Sequence, residues 1–260
     1  MYKIVSCFKI TDDFDELTAQ DWQAPFKYGL PATDFVRRIL GCFDEAALEN
    51  ALLLKADCES SGTETELSAV TLNPGYSEHI LKRIKAIGFD KITCLQTKES
   101  MDFMPNETAE ILSEYIKKEK ADIVLCGMQS APGNTGTVPV LLAEKSGYEI
   151  FNSVVKITVE DGEIFALCEY KKGYLKRKLG KKSVCIMGNT EKSYLRIPTL
   201  KEKLKVKEFA PDVVECDVIK EEKNIEFEYI SKQRNCIRKE MSEETLSDVL
   251  KQLGKGEHGK

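Results

Sequence analysis

The alternation of short apolar runs with helical segments across residues 1–146 is the feature that most constrains the fold of this 260-residue chain. The apolar runs have the composition of buried strands, and the segments between them place their apolar residues at helical spacing. Strands that alternate with helices predict βαβ units and a mainly parallel sheet, an α/β fold with helices on both faces. The predicted strands are residues 3–9, 66–72, 91–95 and 122–126, and the predicted helices are residues 44–57, 76–87, about 106–119 and a segment that begins near Thr137.

Residues 150–188 follow a different pattern, rich in Val, Ile, Tyr and Phe. Asp161-Gly162 separates two strand-like runs, and Asp-Gly is typical of a two-residue hairpin turn. Lys172-Gly173 indicates a second turn. We therefore expect a β-hairpin region added to the parallel sheet.

The C-terminal part of the chain is predicted to be an extended arm. The chain becomes highly charged from Lys201, and after Pro211 it holds short apolar pieces before a helix predicted at residues 242–253. We assign residues 1–210 to the α/β domain and expect residues 211–260 to form an arm and helix that pack on a partner.

Residues 11–40 contain Trp22, Pro25 and Pro31 and show no sustained period. An insertion of this length is predicted to be a surface excursion, which is either a partner-binding loop or a segment without a function of its own.

The histidines and cysteines limit the chemistry that this chain can perform. With His79 and His258 as its two histidines, a Ser-His-Asp triad or a multi-histidine metal site has almost no residues to be built from. The nine cysteines include no Cys-x-x-Cys pair, which excludes the simple zinc and thioredoxin-type signatures. Those inside apolar runs are predicted to be small buried residues in a reducing compartment.

Charge and hydropathy argue against a dedicated nucleic-acid binder and against insertion into a membrane. The net charge is -5, and the basic residues are scattered among the acids, whereas phosphate contacts need a clustered positive surface. The N-terminus MYKIVSCFKI lacks the basic start and long apolar core of a signal peptide. No run approaches the ~20 apolar residues that span a bilayer. We expect a cytoplasmic protein.

The loop that follows the predicted strand at residues 122–126 is the most distinctive local feature. It holds Gly127, Gly133 and Gly136 and leads into a helix that Thr135 or Thr137 could cap. Glycines let a ligand approach the backbone, and the amides of the loop and of the helix N-terminus favour an anion. The alternative is an ordinary glycine-rich turn. Because the loop lacks the Gly-Lys-Ser/Thr of a P-loop, NTP hydrolysis is disfavoured.

The run Cys-Gly-Met-Gln-Ser-Ala-Pro-Gly-Asn-Thr-Gly-Thr at residues 126–137 resembles the signature of electron-transfer flavoprotein β subunits. That signature reads Cys-Gly-x-Gln-Ala-x-Asp-Gly-Asp-Thr-Gly-Gln and then Pro-x-Leu-Ala-Glu, and Leu142-Ala143-Glu144 matches its end. Together with shorter likenesses in the expected order, the resemblance covers about residues 1–210. The shorter likenesses are Cys7-Phe8-Lys9, Phe43-Asp44-Glu45, Glu169 and Arg196-x-Pro-Thr-Leu.

The resemblance implies an adenine nucleotide α-hydrolase-like fold and a chain without a catalytic acid or base of its own. It implies a heterodimer with a larger α subunit that carries the redox FAD. The heterodimer would accept electrons from a flavin dehydrogenase, such as an acyl-CoA dehydrogenase, and pass them on. The arm would embrace the FAD domain of the α subunit. Leu200 would anchor a recognition loop for partner dehydrogenases, or it is the first apolar residue of a short helix.

Carried over by position, the resemblance also implies a nucleotide pocket. Phosphate would lie on the amides of Gly136, Thr137 and Val138, and Cys7 and Leu72 would flank the adenine. Simpler members of the family hold AMP in this pocket and electron-bifurcating members hold a second FAD, and both remain open here. The implied pocket residues are Cys7, Gly41, Cys42, Phe43, Asp44, Leu72, Gly127, Met128, Gln129, Ser130, Ala131, Pro132, Gly133, Asn134, Thr135, Gly136, Thr137 and Val138.

Several pocket positions depart from the family pattern. The Asn-Pro that precedes Phe-Asp-Glu is Gly41-Cys42 here, the two loop aspartates are Pro132 and Asn134, and the glutamine is Thr137. Pro132 removes an N–H donor, whereas Asn134 lowers the charge repulsion against a phosphate.

Two other functions remain as alternatives. A stand-alone adenine-nucleotide sensor, similar to a universal stress protein, needs only the first half of the chain, and the charged tail and residues 199–205 argue against it. An enzyme of the related ATP-splitting type needs a Ser-Gly-Gly-type loop after the first strand, which Cys7-Phe8-Lys9-Ile10 lacks.

A basic patch either steers an acidic partner or is a solvated hairpin. It consists of Lys171, Lys172, Lys176, Arg177, Lys178, Lys181 and Lys182.

Overall fold

A nine-stranded sheet runs through the computed structural model, which describes residues 1–23, 31–75, 77–217, 242, 246 and 247. A two-stranded sheet lies beside it, and five α-helices are described in full. The strands of the main sheet are Tyr2–Cys7 (β1), Thr65–Leu72 (β4), Lys91–Gln96 (β5), Ile123–Gly127 (β6), Glu149–Glu160 (β7), Glu163–Tyr170 (β8), Gly173–Lys178 (β9), Ser183–Met187 (β10) and Asp212–Glu215 (β11). The small sheet consists of Ile10–Asp12 (β2) and Arg38–Leu40 (β3), and the helices are Cys42–Ser60 (α1), Glu78–Ala86 (α2), Pro105–Glu119 (α3), Thr137–Ser146 (α4) and Leu200–Lys205 (α5).

The main sheet has the strand order β11-β5-β4-β1-β6-β10-β7-β8-β9. Neighbours from β11 to β7 are parallel, and the pairs β7–β8 and β8–β9 are antiparallel. The predicted α/β fold with a mainly parallel sheet and an added hairpin region is therefore confirmed. The first hairpin turn lies at the predicted dipeptide, where Asp161 and Gly162 both have positive φ.

Each face of the sheet is covered by two helices, as predicted. The apolar side chains of α1 and α2 pack on one face, in a cluster with Ile4 and Leu67. Those of α3 and α4 pack on the other face, in a cluster with Val5 and Cys7. Because side chains alternate along a strand, consecutive residues of β1 supply both clusters.

The predicted helix at residues 76–87 illustrates how well local patterns locate elements. In the structure α2 buries Ile80, Leu81 and Ile84, the apolar positions on one face of that pattern. It ends at Ala86, just before Ile87 and the positive-φ Gly88. Tyr76 lies outside the described residues.

Two strands differ from the sequence expectation. The run Ser183–Met187 was expected only as a continuation of the hairpin region, but β10 is a fully buried parallel strand between β6 and β7. Asp212–Glu215 was expected in the arm, yet β11 pairs in parallel with β5 at the edge of the sheet. The division at residue 210 remains a prediction, and most of the helix expected at residues 242–253 lies outside the described residues.

Residues 11–40, which show no sustained hydrophobic period, supply most of the small sheet. Thr11 of β2 pairs with Ile39 of β3. A salt bridge joins the buried Asp13 to Arg37 at 2.9 Å, and another joins Asp12 to Arg38 at 3.6 Å. These contacts fix the ends of the excursion next to the start of α1.

None of the helices in the described part of the chain has the length and apolar character that crossing a membrane requires.

Candidate functional site

At the centre of the sheet the chain stops adding strands on one side of β1 and begins to add them on the other side. From β1 the chain adds β4 and then β5 on one side, and it returns to place β6 on the other side of β1. The covering helices also change face at this point. Ligands of open parallel sheets bind outside the carboxyl ends of the strands at such a switch point. The crevice between Cys7, which ends β1, and Gly127, which ends β6, is therefore the candidate site.

Gly127 packs directly against the first turn of α1. A Cβ added at Gly127 would lie 2.8 Å from the carbonyl carbon of Phe43 and 3.0 Å from the amide nitrogen of Asp44, which is closer than real Cβ atoms come to backbone. Only glycine therefore lets the end of β6 and the N-terminus of α1 meet at this point.

The N-terminus of α4 lies in the same loop. Gly136 caps this helix in the left-handed conformation, with φ 65°, and a Cβ added there would lie 3.0 Å from the carbonyl oxygen of Met128. The prediction that Thr135 or Thr137 caps the helix is wrong, since Gly136 occupies the cap. Thr135 Oγ1 accepts only a long hydrogen bond, 3.4 Å, from the amide of Thr137.

The first turn of α4 presents its amides to a ligand, and the Thr137 amide is held only by the long hydrogen bond to Thr135. Thr137 and Val138 are the first two helical residues, whose N–H groups have no intrahelical acceptor. Within the part of the chain that the structure describes, no side chain caps the helix, because its cap residue is glycine. A helix N-terminus in this state attracts an anion. The amides of Gly136, Thr137 and Val138 are those to which the resemblance assigned the phosphate.

The loop between β6 and α4 is held by two backbone hydrogen bonds. The Met128 amide donates to the Met187 carbonyl oxygen at 3.1 Å, and the Asn134 amide donates to Ser130 at 2.9 Å. Asn134 has a φ of 49°, a conformation that asparagine tolerates better than most residues. The replacement of the family's aspartate by Asn134 is thus compatible with the turn.

The structure places the two residues assigned to the adenine on one apolar cluster. Cys7 pairs in register with Cys126, and both are buried. Leu72, at the end of β4, and Val138 pack against the same cluster. A hydrogen bond with Cys7, together with burial, raises the pKa of Cys126 well above its usual range, so this thiol stays protonated.

Asp44 is a buried carboxyl group in the first turn of α1. Its Oδ1 accepts a hydrogen bond of 3.0 Å from the Lys9 amide, and its Oδ2 has no partner among the described residues. Oδ2 lies under Gly41, where an added Cβ would come within 3.0 Å of it. Burial raises the pKa of Asp44 to about 7, against the smaller opposing effects of the Lys9 amide and charge. Near neutral pH this carboxyl can therefore donate as well as accept a hydrogen bond.

A cleft of about 180 Å³ separates the loop after β6 from the small sheet. This volume is below the ~300–1,000 Å³ usual for ligand pockets, so the cleft alone holds only part of a nucleotide. Predicted residues on its wall are Gly41, Cys42, Phe43, Gln129, Ser130, Ala131 and Asn134, whereas Cys7, Leu72 and residues 135–138 do not line it.

The opposite wall of this cleft was missed by the sequence reasoning. It includes Asp12, Asp13, Phe14, Asp15 and Ile39. The charges of Asp12 and Asp13 are balanced by Arg38 and Arg37. A sequence signal for this wall was available. The connection from β3 to α1 is so short that residues near Ile39 must lie beside Gly41.

Leu200 lies on a different surface. It is the first residue of α5 and is 74% exposed. Thr199 caps α5 in a reciprocal pair of hydrogen bonds with Glu202. Leu200 is one of four exposed apolar residues that lie close together in the sequence, which we call the apolar surface: Tyr194, Ile197, Leu200 and Leu204.

Comparison with known proteins matches the part of the candidate site that follows residue 34. The family model described as "Electron transfer flavoprotein domain" matches residues 34–189, a range that holds every predicted pocket residue except Cys7. "Putative electron transfer flavoprotein subunit YgcR" of Escherichia coli is 31% identical over 159 residues, 60% of each chain. "Caffeyl-CoA reductase-Etf complex subunit CarD" of Acetobacterium woodii is 28% identical over 173 residues, 66% of this chain and 63% of that protein.

A third relative, "Electron transfer flavoprotein subunit beta" of Megasphaera elsdenii, is 26% identical over 179 residues, 66% of this chain and 64% of the relative. The chain thus covers less than two thirds of the length of each of these three relatives.

Proposed function

This chain belongs to the electron transfer flavoprotein family as a relative of its β subunits, and from that premise we propose that it is the nucleotide-holding subunit of an electron-carrying heterodimer. Its partner is an α subunit, with which the redox FAD is held. The heterodimer accepts electrons from a flavin dehydrogenase, such as an acyl-CoA dehydrogenase, and passes them on. The chain is a carrier subunit without catalytic residues of its own.

The observation that carries the proposal is the meeting of two helix N-termini at the switch point of the sheet. Gly127 brings the end of β6 onto the first turn of α1, and Gly136 begins α4 in the same loop. The amides of Gly136, Thr137 and Val138 bind the phosphate of the nucleotide. The apolar cluster at Cys7 and Leu72 then receives the adenine.

The residues present fit an adenine nucleotide. Oδ2 of Asp44, which has no partner among the described residues, lies under Gly41 and, when protonated, donates a hydrogen bond to an oxygen of the nucleotide. The neutral form also avoids the repulsion that a buried carboxylate would exert on a phosphate. AMP and FAD share these features, so either satisfies the proposal.

The apolar surface formed by Tyr194, Ile197, Leu200 and Leu204 is the proposed contact for the dehydrogenase. Exposed apolar residues in a group mark protein interaction sites more often than isolated ones do. Tyr194 and Ile197 are 81% and 80% exposed. The name of the relative CarD ties it to a CoA-ester reductase, which supports a partner of this class.

Co-purification tests the proposed assembly. The tagged chain is expected to recover a flavoprotein α subunit with bound FAD and, on addition of the dehydrogenase, a ternary complex. Leu200→Glu is expected to keep the α subunit but to weaken dehydrogenase binding at least tenfold, because exposed Leu200 contributes nothing to the core.

The matched control is Leu175→Glu, which adds the same charge at an exposed leucine of β9. β9 is one edge of the main sheet, whereas α5 packs on α2, which contacts β5 near the opposite edge. Recovery of the chain without a flavoprotein, or ATP turnover by the chain alone, contradicts the proposal.

A further inference from the structure

Helix α1 touches both functional surfaces of this chain. Its first turn, Cys42–Asp44, lies at the candidate nucleotide site. Further along, side chains of α1 hold the docking segment, which we define as residues 190–199 and which leads into α5. The two surfaces are therefore joined by one continuous helix of 19 residues.

Glu49 is the strongest contact between α1 and the docking segment. Its side chain is buried and accepts a hydrogen bond from the Arg196 amide at 3.1 Å. The Arg196 guanidinium donates to the same carboxylate from Nε at 3.1 Å and from a terminal nitrogen at 2.7 Å. The hydrogen bond with Glu49 raises the pKa of Arg196. A buried carboxylate with this set of donors fixes both the side chain and the main chain of Arg196.

Glu45 and Arg83 together hold Leu195, the residue before Arg196 in the docking segment. Its Oε2 accepts from the Leu195 amide at 3.4 Å, and its Oε1 accepts from Arg83 at 3.1 Å. Arg83 in turn donates to the Leu195 carbonyl oxygen at 2.7 Å. Leu195 itself is buried in the core. A third side chain of α1, that of Asn50, donates to the Lys192 carbonyl oxygen at 3.1 Å.

These contacts fix the backbone from which the exposed apolar residues project. Leu195 points into the core, while Tyr194 and Ile197, on either side of the fixed pair, point to solvent. A partner that binds a preordered surface loses less conformational entropy than one that must order it. The order of the docking segment therefore affects how tightly a partner binds.

We propose that nucleotide bound at the first turn of α1 orders the docking segment through Glu45 and Glu49. Glu45 directly follows Asp44, and Glu49 lies one turn further along the same helix. Ligand contacts at residues 41–44 restrain the start of α1 and hence the carboxylates that hold Leu195 and Arg196. The linkage rests on the proposed function, since it requires the nucleotide site described above.

Hydrogen–deuterium exchange of the full chain tests this linkage. The amides of Leu195 and Arg196 are direct reporters, because each donates to one of the two glutamates. After removal of co-purified nucleotide by dialysis, saturating AMP is expected to slow their exchange at least about fivefold, in the range typical of coupled sites. FAD replaces AMP in a second arm, and binding of each is measured by equilibrium dialysis.

Glu49→Ala is expected to raise exchange at Arg196 about tenfold and to abolish the effect of nucleotide there, while nucleotide binding persists. Glu49→Gln, which keeps one acceptor oxygen, is expected to restore part of the protection. Glu59→Gln is the matched control, since it alters a glutamate at the far end of α1. Thermal unfolding of each variant separates local loosening from loss of the fold.

The possible outcomes separate the linkage from the proposed function. If nucleotide binds and exchange at Leu195 and Arg196 does not change, the linkage is wrong and the nucleotide site stands. If neither AMP nor FAD binds, the nucleotide site is refuted and the linkage with it. Exchange in Glu49→Ala equal to that of the unaltered chain also overturns the proposal.

Discussion

At the scale of single residues, Gly127 makes the candidate site possible. It is the residue at which β6 and α1 come into backbone contact, and no side chain fits between them. The sequence resemblance identified it as part of the signature loop, but the reason for glycine is its packing against Phe43 and not a positive φ.

Gly127→Ala is expected to lower the free energy of unfolding by about 1–3 kcal/mol and to weaken nucleotide binding at least tenfold, because the added Cβ pushes α1 away from the loop. Urea unfolding and equilibrium dialysis measure the two effects. Gly180→Ala is the matched control, since a Cβ there meets nothing within 4 Å. Equal binding by both variants would show that the nucleotide does not use this contact.

Asp44 gives the molecule a pH-dependent stability that the sequence alone does not reveal. Its pKa rises from 3.8 to about 7 on folding. Between these values the folded carboxyl is protonated and the unfolded one is ionised, so folding takes up a proton. The free energy of unfolding therefore falls as pH rises through this window, by up to about 1.4 kcal/mol per pH unit.

Asp44→Asn is expected to remove this component. Between pH 5 and pH 7 the unaltered chain should lose up to about 2 kcal/mol more of its free energy of unfolding than Asp44→Asn does. Urea unfolding at several pH values measures the difference. Asp57→Asn, at an exposed position of the same helix, is the control and should follow the unaltered chain. Parallel curves for the chain and Asp44→Asn would refute the raised pKa.

At the scale of elements, the local patterns predicted β1, β4, β5, β6 and the helices between them to within a few residues. Each of these elements has its own period or turn signal. The strand β10 has neither, because all five of its residues are buried and it is flanked by no helix of the βαβ type. Its place between β6 and β7 depends on contacts distant in sequence, which a local pattern does not contain.

The strand β11 lies beyond residue 210, the predicted end of the domain, and still pairs with the main sheet. Its four residues pair with β5, and the Cys216 amide extends the pairing to the Gln96 carbonyl oxygen at 2.8 Å. β11 covers an edge that would otherwise present unpaired backbone groups.

A chain that ends at residue 210 is expected to be less stable than one that ends at residue 217, by about 1–3 kcal/mol in the free energy of unfolding, because it loses the hydrogen bonds of β11. It should also aggregate more, which light scattering at equal concentration will show, since the edge of β5 is exposed. Equal stability and equal scattering would mean that β11 contributes nothing to the sheet.

At the scale of the whole molecule, one helix connects two surfaces that the sequence places far apart. Arg196 lies 147 residues from Glu49, and Leu195 lies 150 residues from Glu45. Neither pair has a spacing or motif that could reveal it. The family resemblance identified residues of both surfaces, but the hydrogen bonds that join them through α1 are evident only in the folded chain.

The proposed nucleotide site is likewise only partly encoded in recognisable motifs. Cys7, Leu72 and residues 127–138 come together at the carboxyl ends of adjacent strands, as the alternation of strands and helices predicts. The wall formed by residues 12–15 and Ile39 lies in the segment without periodicity, and its position depends on ion pairs with Arg37 and Arg38.

The nucleotide content of the heterodimer, purified after co-expression with its α subunit, tests the central claim most directly. Flavin absorbance, together with chromatography of the nucleotides released on denaturation, counts FAD and AMP per heterodimer. We expect one FAD held with the α subunit and one adenine nucleotide on this chain, so that the heterodimer contains either one FAD and one AMP or two FAD. A heterodimer with a single FAD and no second nucleotide would contradict the account, because the loop after β6 would then be only a structural turn.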